Sequence, residues 1–123
     1  MGFPETAARR VTRDRASGTT TVTNDSDTGT ATHPEYGIAF RDVRRSDYTI
    51  TRGDPLSYHA REVCMNERTR DGVLSRVTAT GTLRATETDW IIEARIEAET
   101  ETGQDTETVF TRAWSKTIAR DHM

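Results

Sequence analysis

Cysteine is nearly missing from this 123-residue chain: Cys64 stands alone, so no intrachain disulfide can staple the fold. Lysine is as scarce, with Lys116 the only one, and arginine supplies nearly all the positive charge. That imbalance fits a codon or genome bias better than a function. No apolar run approaches the length of a membrane span, and the opening MGFPETAARR has no apolar signal core. The string MGFPET resembles a myristoylation site with Thr6 in place, but Pro4 and the lack of a second anchoring signal argue against it. The expectation is a soluble, cytoplasmic chain with no membrane partner. There is no surplus of positive charge either. Seventeen Lys and Arg face twenty Asp and Glu, a net charge of −3, which gives nucleic-acid binding little electrostatic support.

Hydrophobic residues are also sparse, 33% against 30% charged, so any core is thin and much of each element faces water. A two-layer sandwich, whose strands are polar at alternate positions, suits this better than a doubly wound α/β fold with fully buried strands. Threonine is heavily over-used, and β-branched side chains favour strands.

Residues 1–18 are polar and basic, with Arg9, Arg10, Arg13 and Arg15 among small residues. They read as a leader: a disordered tail, or a first edge segment that orders only on packing. The arginines suit a solvated leader, or a docking arm for an acidic partner. A β-sandwich domain is expected over 19–123. Thr19–Thr23 reads as a strand and Asn24–Asp27 as a turn, with a short return strand from Gly29 to Thr32. His33-Pro34 breaks the pattern. Gly37–Val43 and the alternating Tyr48–Thr51 read as further strands, Gly53-Asp54-Pro55 as a turn, and Tyr58–Met65 as extended.

The second half is clearer. Val77, Ala79, Gly81, Leu83 and Ala85 alternate with polar residues, as do Trp90, Ile92, Ala94, Ile96 and Ala98. Phe110 and Trp114 continue the rhythm in Val109–Ser115. A period of two sustained this long predicts half-buried strands. Thr86–Asp89 and Thr102–Asp105 would join them as a meander, with Arg95 and Glu97 pairing across it. Trp90, Ile92, Ile96, Phe110 and Trp114 are expected in one dry layer between two sheets.

Nothing in the chain marks a catalytic or metal centre. There is no G-x-S-x-G elbow and no glycine-rich phosphate loop. His33, His59 and His122 lie far apart, and no pair of His or Cys has ligand spacing. Cys64 reads as a small buried hydrophobe rather than a nucleophile. Alternation puts Glu97, Glu99 and Glu101 on one solvated strand face, which suits a surface better than calcium or paired-carboxylate chemistry. Trp90 and Trp114 read as core before they read as a sugar platform. No catalytic, cofactor or metal residue is assigned, and no cofactor is expected.

Three blocks carry a family resemblance. Gly53-Asp54-Pro55-Leu56-Ser57 is similar to a D-D-P-L-S turn. Ile92-Glu93-Ala94-Arg95-Ile96-Glu97-Ala98 is similar to an h-x-A-x-L-x-A strand. Val109-Phe110-Thr111-Arg112-Ala113-Trp114, followed by Thr117-Ile118-Ala119-Arg120-Asp121, resembles a terminal V-F-x-R-x-W-x-x-x-I-P-R-D signature, with Ala119 in place of its proline. In this order the blocks resemble the C-terminal, non-catalytic domain of X-Pro dipeptidyl-peptidases and cocaine esterase-like (CocE/NonD, peptidase S15-like) hydrolases, over roughly residues 19 to 123. The resemblance implies an all-β, jelly-roll-like antiparallel β-sandwich. It implies an accessory role, packing on an α/β-hydrolase domain or self-associating, with the family's catalytic triad outside this chain. A carbohydrate or other small-ligand module and a small enzyme of unrecognised type are the rival expectations.

Overall fold

The computed structural model describes residues 6–120. Turn chemistry sets its strand boundaries. At Asp71-Gly72 both residues hold positive φ, 53° and 78°, the geometry of a type I′ hairpin turn. At Gly18, which also has positive φ, an added Cβ would sit 3.3 Å from the Arg52 Cβ, and the Gly18 carbonyl accepts from the Arg52 N–H. Between such points the β-branched and alternating segments run as β1 (Thr6–Asp14), β2 (Thr19–Asp27), β3 (Ala31–His33), β4 (Ile38–Thr51), β5 (Asp54–Arg70), β6 (Val73–Ala85), β7 (Asp89–Thr102) and β8 (Asp105–Ala119).

All pairings are antiparallel, and the eight strands form one open sheet in the order β1-β2-β4-β5-β6-β7-β8, with β3 paired to β4 beyond the end of β2. The architecture is all-β, consistent with an all-β sandwich in which this sheet is one layer. β1 and β8 are its edges.

Paired residues in an antiparallel sheet share a face, and neighbours along a strand point to opposite faces. The registers Ala85↔Trp90, Leu83↔Ile92, Gly81↔Ala94, Ala79↔Ile96 and Val77↔Ala98 therefore put both predicted apolar rows on one side. Ala94↔Trp114 and Ala98↔Phe110 add β8 to it, with a bulge at Val109. Val11, Val22, Tyr48 and Ala60 continue the same face across β1, β2, β4 and β5. The expected meander and its shared apolar face are present.

Several local expectations need correction. Of the two readings of residues 1–18, the described part takes the first edge segment: Thr6–Asp14 forms edge strand β1, with Val11 and its neighbours paired residue for residue with β2, so the sheet begins before Thr19; the first five residues lie outside the description. Asn24–Asp27 is strand rather than turn. Its side chains sit among arginines of β1 and β4, and the chain jogs at Thr28–Thr30 instead, where Gly29 holds a φ of 67°. β4 and β5 run unbroken where shorter segments were expected, since their alternating polar residues pair across strands.

The largest correction concerns the dry layer. Within the described chain the contacts between elements join only adjacent strands, and Ala85 is the one buried hydrophobic residue. Phe110 and Trp114 are 50% and 39% exposed. Alternation orients side chains, whereas dryness needs a second layer on top of them, and the described chain folds no segment over this face.

Candidate interaction face

The two faces of the sheet differ sharply in how far they satisfy themselves. One is ionic. At its centre Arg76 donates from Nη1 to Glu99 at 2.8 Å and from Nε and Nη2 to Glu67 at 3.1 and 2.9 Å, with Glu101 at 3.8 Å. Glu67 is buried to 9% exposure and also meets Arg41 at 3.7 Å. Arg41 in turn grips Asp27 with two hydrogen bonds, and that guanidinium, helped by the Gly29 N–H, lowers the Asp27 carboxyl from 3.8 to about 2. The hydrogen bonds from Glu99 and Glu67 raise the Arg76 pKa above its ordinary value. Further along, the Thr23 hydroxyl donates to Asp47 at 2.7 Å, which holds that carboxyl below its ordinary range with help from Arg45. Thr19 and Thr51 share a hydroxyl hydrogen bond of 2.9 Å. Most charges of this face are paired, with Val43, Val63, Met65, Leu74 and Ile91 half-buried among them, and such a face can stand in water with no partner.

The other face is apolar and uncovered. Val11, Tyr48, Ile50, Val77, Phe110, Trp114 and Ile118 all stand on it with between 38% and 50% of their surface exposed, as their registers show. Monomeric soluble proteins rarely leave so wide an apolar patch open unless it meets something. Its charges lie on β4 and β5, where Arg44 meets Glu62 at 3.5 Å and Asp42 meets Asn66 and Arg68, and on the edge strands, which carry Arg9, Arg13, Glu107, Arg112 and Lys116. At the β6–β7 hairpin Tyr58 meets Trp90 edge-on at 6.4 Å, and Arg120 lies 5.0 Å from the Trp90 ring while donating to the Thr86 carbonyl. Arg112 lies 4.9 Å from the Trp114 ring.

The residues weighed for chemistry do not converge. His33 packs on Tyr36 at the β3–β4 turn with ring centroids 4.7 Å apart, His59 stands exposed on β5, and His122 lies outside the described residues. Among the described residues no group of three His, Cys, Asp or Glu is arranged to hold a metal ion. Cys64 is half-buried on the apolar face, its thiol donating to Glu62 at 3.4 Å. Glu97, Glu99 and Glu101 do share one face, but Glu99 and Glu101 are half-buried against Arg76 rather than freely solvated. The expected cross-strand pairing of Arg95 and Glu97 is also corrected. The two meet along one strand at 2.9 Å, because their cross-strand neighbours are uncharged Thr80, Thr78, Ala113 and Thr111. No helix among the described residues is long and apolar enough to cross a membrane. The sequence rhythm shows which residues share the apolar face; the Arg76 network escaped it, since its members are scattered over three strands and only the register unites them.

Compared with known proteins, the chain has no significant match among family models, curated proteins or solved structures.

Proposed function

We propose that this chain is a non-catalytic accessory sheet that covers an apolar surface of an α/β-hydrolase domain of the X-Pro dipeptidyl-peptidase and cocaine esterase-like kind. The observation that carries the reading is the contrast of faces, a self-paired ionic side behind an uncovered apolar one. Such a sheet is built to be one layer of a larger core. The three sequence blocks support the choice of partner, and two of them, around Ile92–Ala98 and Val109–Arg120, supply much of that face. The step from fold to role is an analogy with the family. The reading puts the chain in the cytoplasm, where Cys64 stays reduced.

A sugar platform is the weaker alternative: the exposed ring of Trp114 favours it, but Arg112 sits where a sugar would stack. The test has two arms. Purified chain is expected to be blank on simple esters and on X-Pro-p-nitroanilides. An α/β-hydrolase domain encoded beside it and lacking its own sandwich is expected to bind it in calorimetry, with binding lost in Ile96→Glu and kept in Arg95→Ala on the opposite face. Turnover abolished by replacing a single serine would overturn the assignment, as would a hydrolase domain that ignores the chain.

A further inference from the structure

We infer that, in the absence of another partner, a second copy of this chain covers the apolar face by stacking sheet on sheet about a two-fold axis along the β6–β7 seam. The inference goes beyond the reading above and stands whether or not a hydrolase partner exists.

Charge distribution selects the seam. On the apolar face β6 and β7 carry no charged side chain, whereas β1, β4, β5 and β8 all do. A two-fold along the seam lays β6 of one copy over β7 of the other, and β5 over β8. Residues that are neighbours within one sheet then become the facing pairs of the stack, each made twice, as an isologous interface requires. Three of the pairs set a small side chain against a larger one, and Leu83 faces Ile92 as an equal. Ala79 faces Ile96 of the other copy, Ala85 faces Trp90, Val77 faces Ala98, and Gly81 faces Ala94. Gly81 leaves a shallow hollow of ≈ 300 Å³ bordered by Tyr48, Leu83 and Ile92, and an added Cβ there would meet nothing within 4 Å.

Charges also match across the stack. Glu62 shares a row with Trp114, so in the pair it falls over that ring and between Arg112 and Lys116 of the other copy. Among the described residues neither cation has a carboxylate within ion-pair distance, and Glu62 is half exposed beside Arg44. Four overlapping strands about 4.8 Å apart, each some 13 residues long at 3.4 Å, present roughly 800 Å² per copy. The total of about 1,600 Å² is that of a standard stable interface.

The test uses the intact chain. Light scattering on a sizing column is expected to give twice the chain mass. Arg112→Cys places a second thiol on β8, three strand spacings (about 14 Å) from Cys64 of the same chain, too far for an intrachain bridge. Across the stack the two thiols face each other, so mild oxidation should give a covalent dimer linking Cys64 to the introduced thiol. Ala113→Cys, pointing to the ionic face, should not. Gly81→Arg is accommodated within one sheet yet should abolish the dimer. Glu62→Arg should raise the dimer Kd roughly tenfold, and adding Arg112→Glu should restore it. Monomeric wild-type chain, or equal cross-linking of the Arg112 and Ala113 variants, would overturn the proposal while leaving the hydrolase reading to its own assays. Turnover by the chain would sink that reading and leave the dimer standing.

Discussion

Replacing Arg76 by methionine keeps the apolar stem and removes the guanidinium. Glu67, with a side chain only 12% exposed, would lose both hydrogen bonds from Arg76 and keep only Arg41 at 3.7 Å. Glu99 would lose its bond at 2.8 Å, and two carboxylates would face each other across β6 with no cation between them. Breaking a fully buried ion pair costs about 3–5 kcal/mol. Arg76 keeps a quarter of its side chain in contact with water, so the expected loss is about 2–3 kcal/mol. For a chain of this length that is a fall in Tm of roughly 6–12 °C. Arg84→Met is the matched control: its pair with Glu93 spans 4.0 Å with both side chains half exposed, and its loss should cost under about 0.5 kcal/mol. Thermal melts at fixed chain concentration, followed by circular dichroism, give both numbers. Adding Glu67→Gln to Arg76→Met should recover part of the loss by removing the stranded charge. If Arg76→Met melts within about 2 °C of Arg84→Met, the network does not hold the ionic face together and the contrast of faces fails.

Two further outcomes follow from the same sheet. Asp27, lowered to about 2 chiefly by its hydrogen bond from Arg41, favours the folded state above its ordinary value of 3.8, and that contribution is lost as pH falls from about 4 through about 2. Carbon-13 carboxyl titration should place its midpoint near 2 and move it back toward 3.8 in Arg41→Met; an unmoved midpoint would deny the pairing. At the β5–β6 turn, where Asp71 holds a φ of 53°, Asp71→Val should lower stability to urea by about 1–2 kcal/mol, while Asp71→Gly should be neutral or stabilising. Equal midpoints for the Val and Gly variants would mean that the hairpin does not take this geometry.

How much of this was legible beforehand depends on how far apart the interacting residues lie. The rhythm of two from Val77 to Ala85 and from Trp90 to Ala98 is written along single strands, and it predicted correctly which side chains point together. Thr102–Asp105 held as a turn, because Gly103 can take positive φ without steric cost. Asn24–Asp27 misled, since the same Asn and Asp that favour turns in isolation can stay in a strand when arginines of neighbouring strands neutralise them. No local pattern could announce Arg10 and Arg41 as those partners. They are fifteen and fourteen residues from Asp25 and Asp27, and only the β1–β2–β4 register brings them in.

Coverage of a face is less legible still. Alternation states that one side of a strand avoids water, and β6 and β7 say so about the same side, with Phe110, Trp114 and Ile118 of β8 beside them. Among the described residues no segment answers that demand: apart from the Thr28–Thr30 jog from β2 to β3, each connection is spent on reaching the adjacent strand. A sheet of this kind would lose its ordering entropy with little apolar burial in return, Ala85 being its one buried hydrophobe. Polar pairing on the ionic face offsets part of that, but exposed and half-exposed ion pairs are worth little each. The stability has to come from the apolar side, and so from a surface brought to it. Stability and association should therefore rise and fall together: diluting the chain should lower its Tm, and changes at Gly81 or Ile96 should remove that concentration dependence, whereas changes at Arg95 should leave it intact. A Tm that ignores concentration, in a chain that binds no other domain, would mean that the apolar face needs no cover.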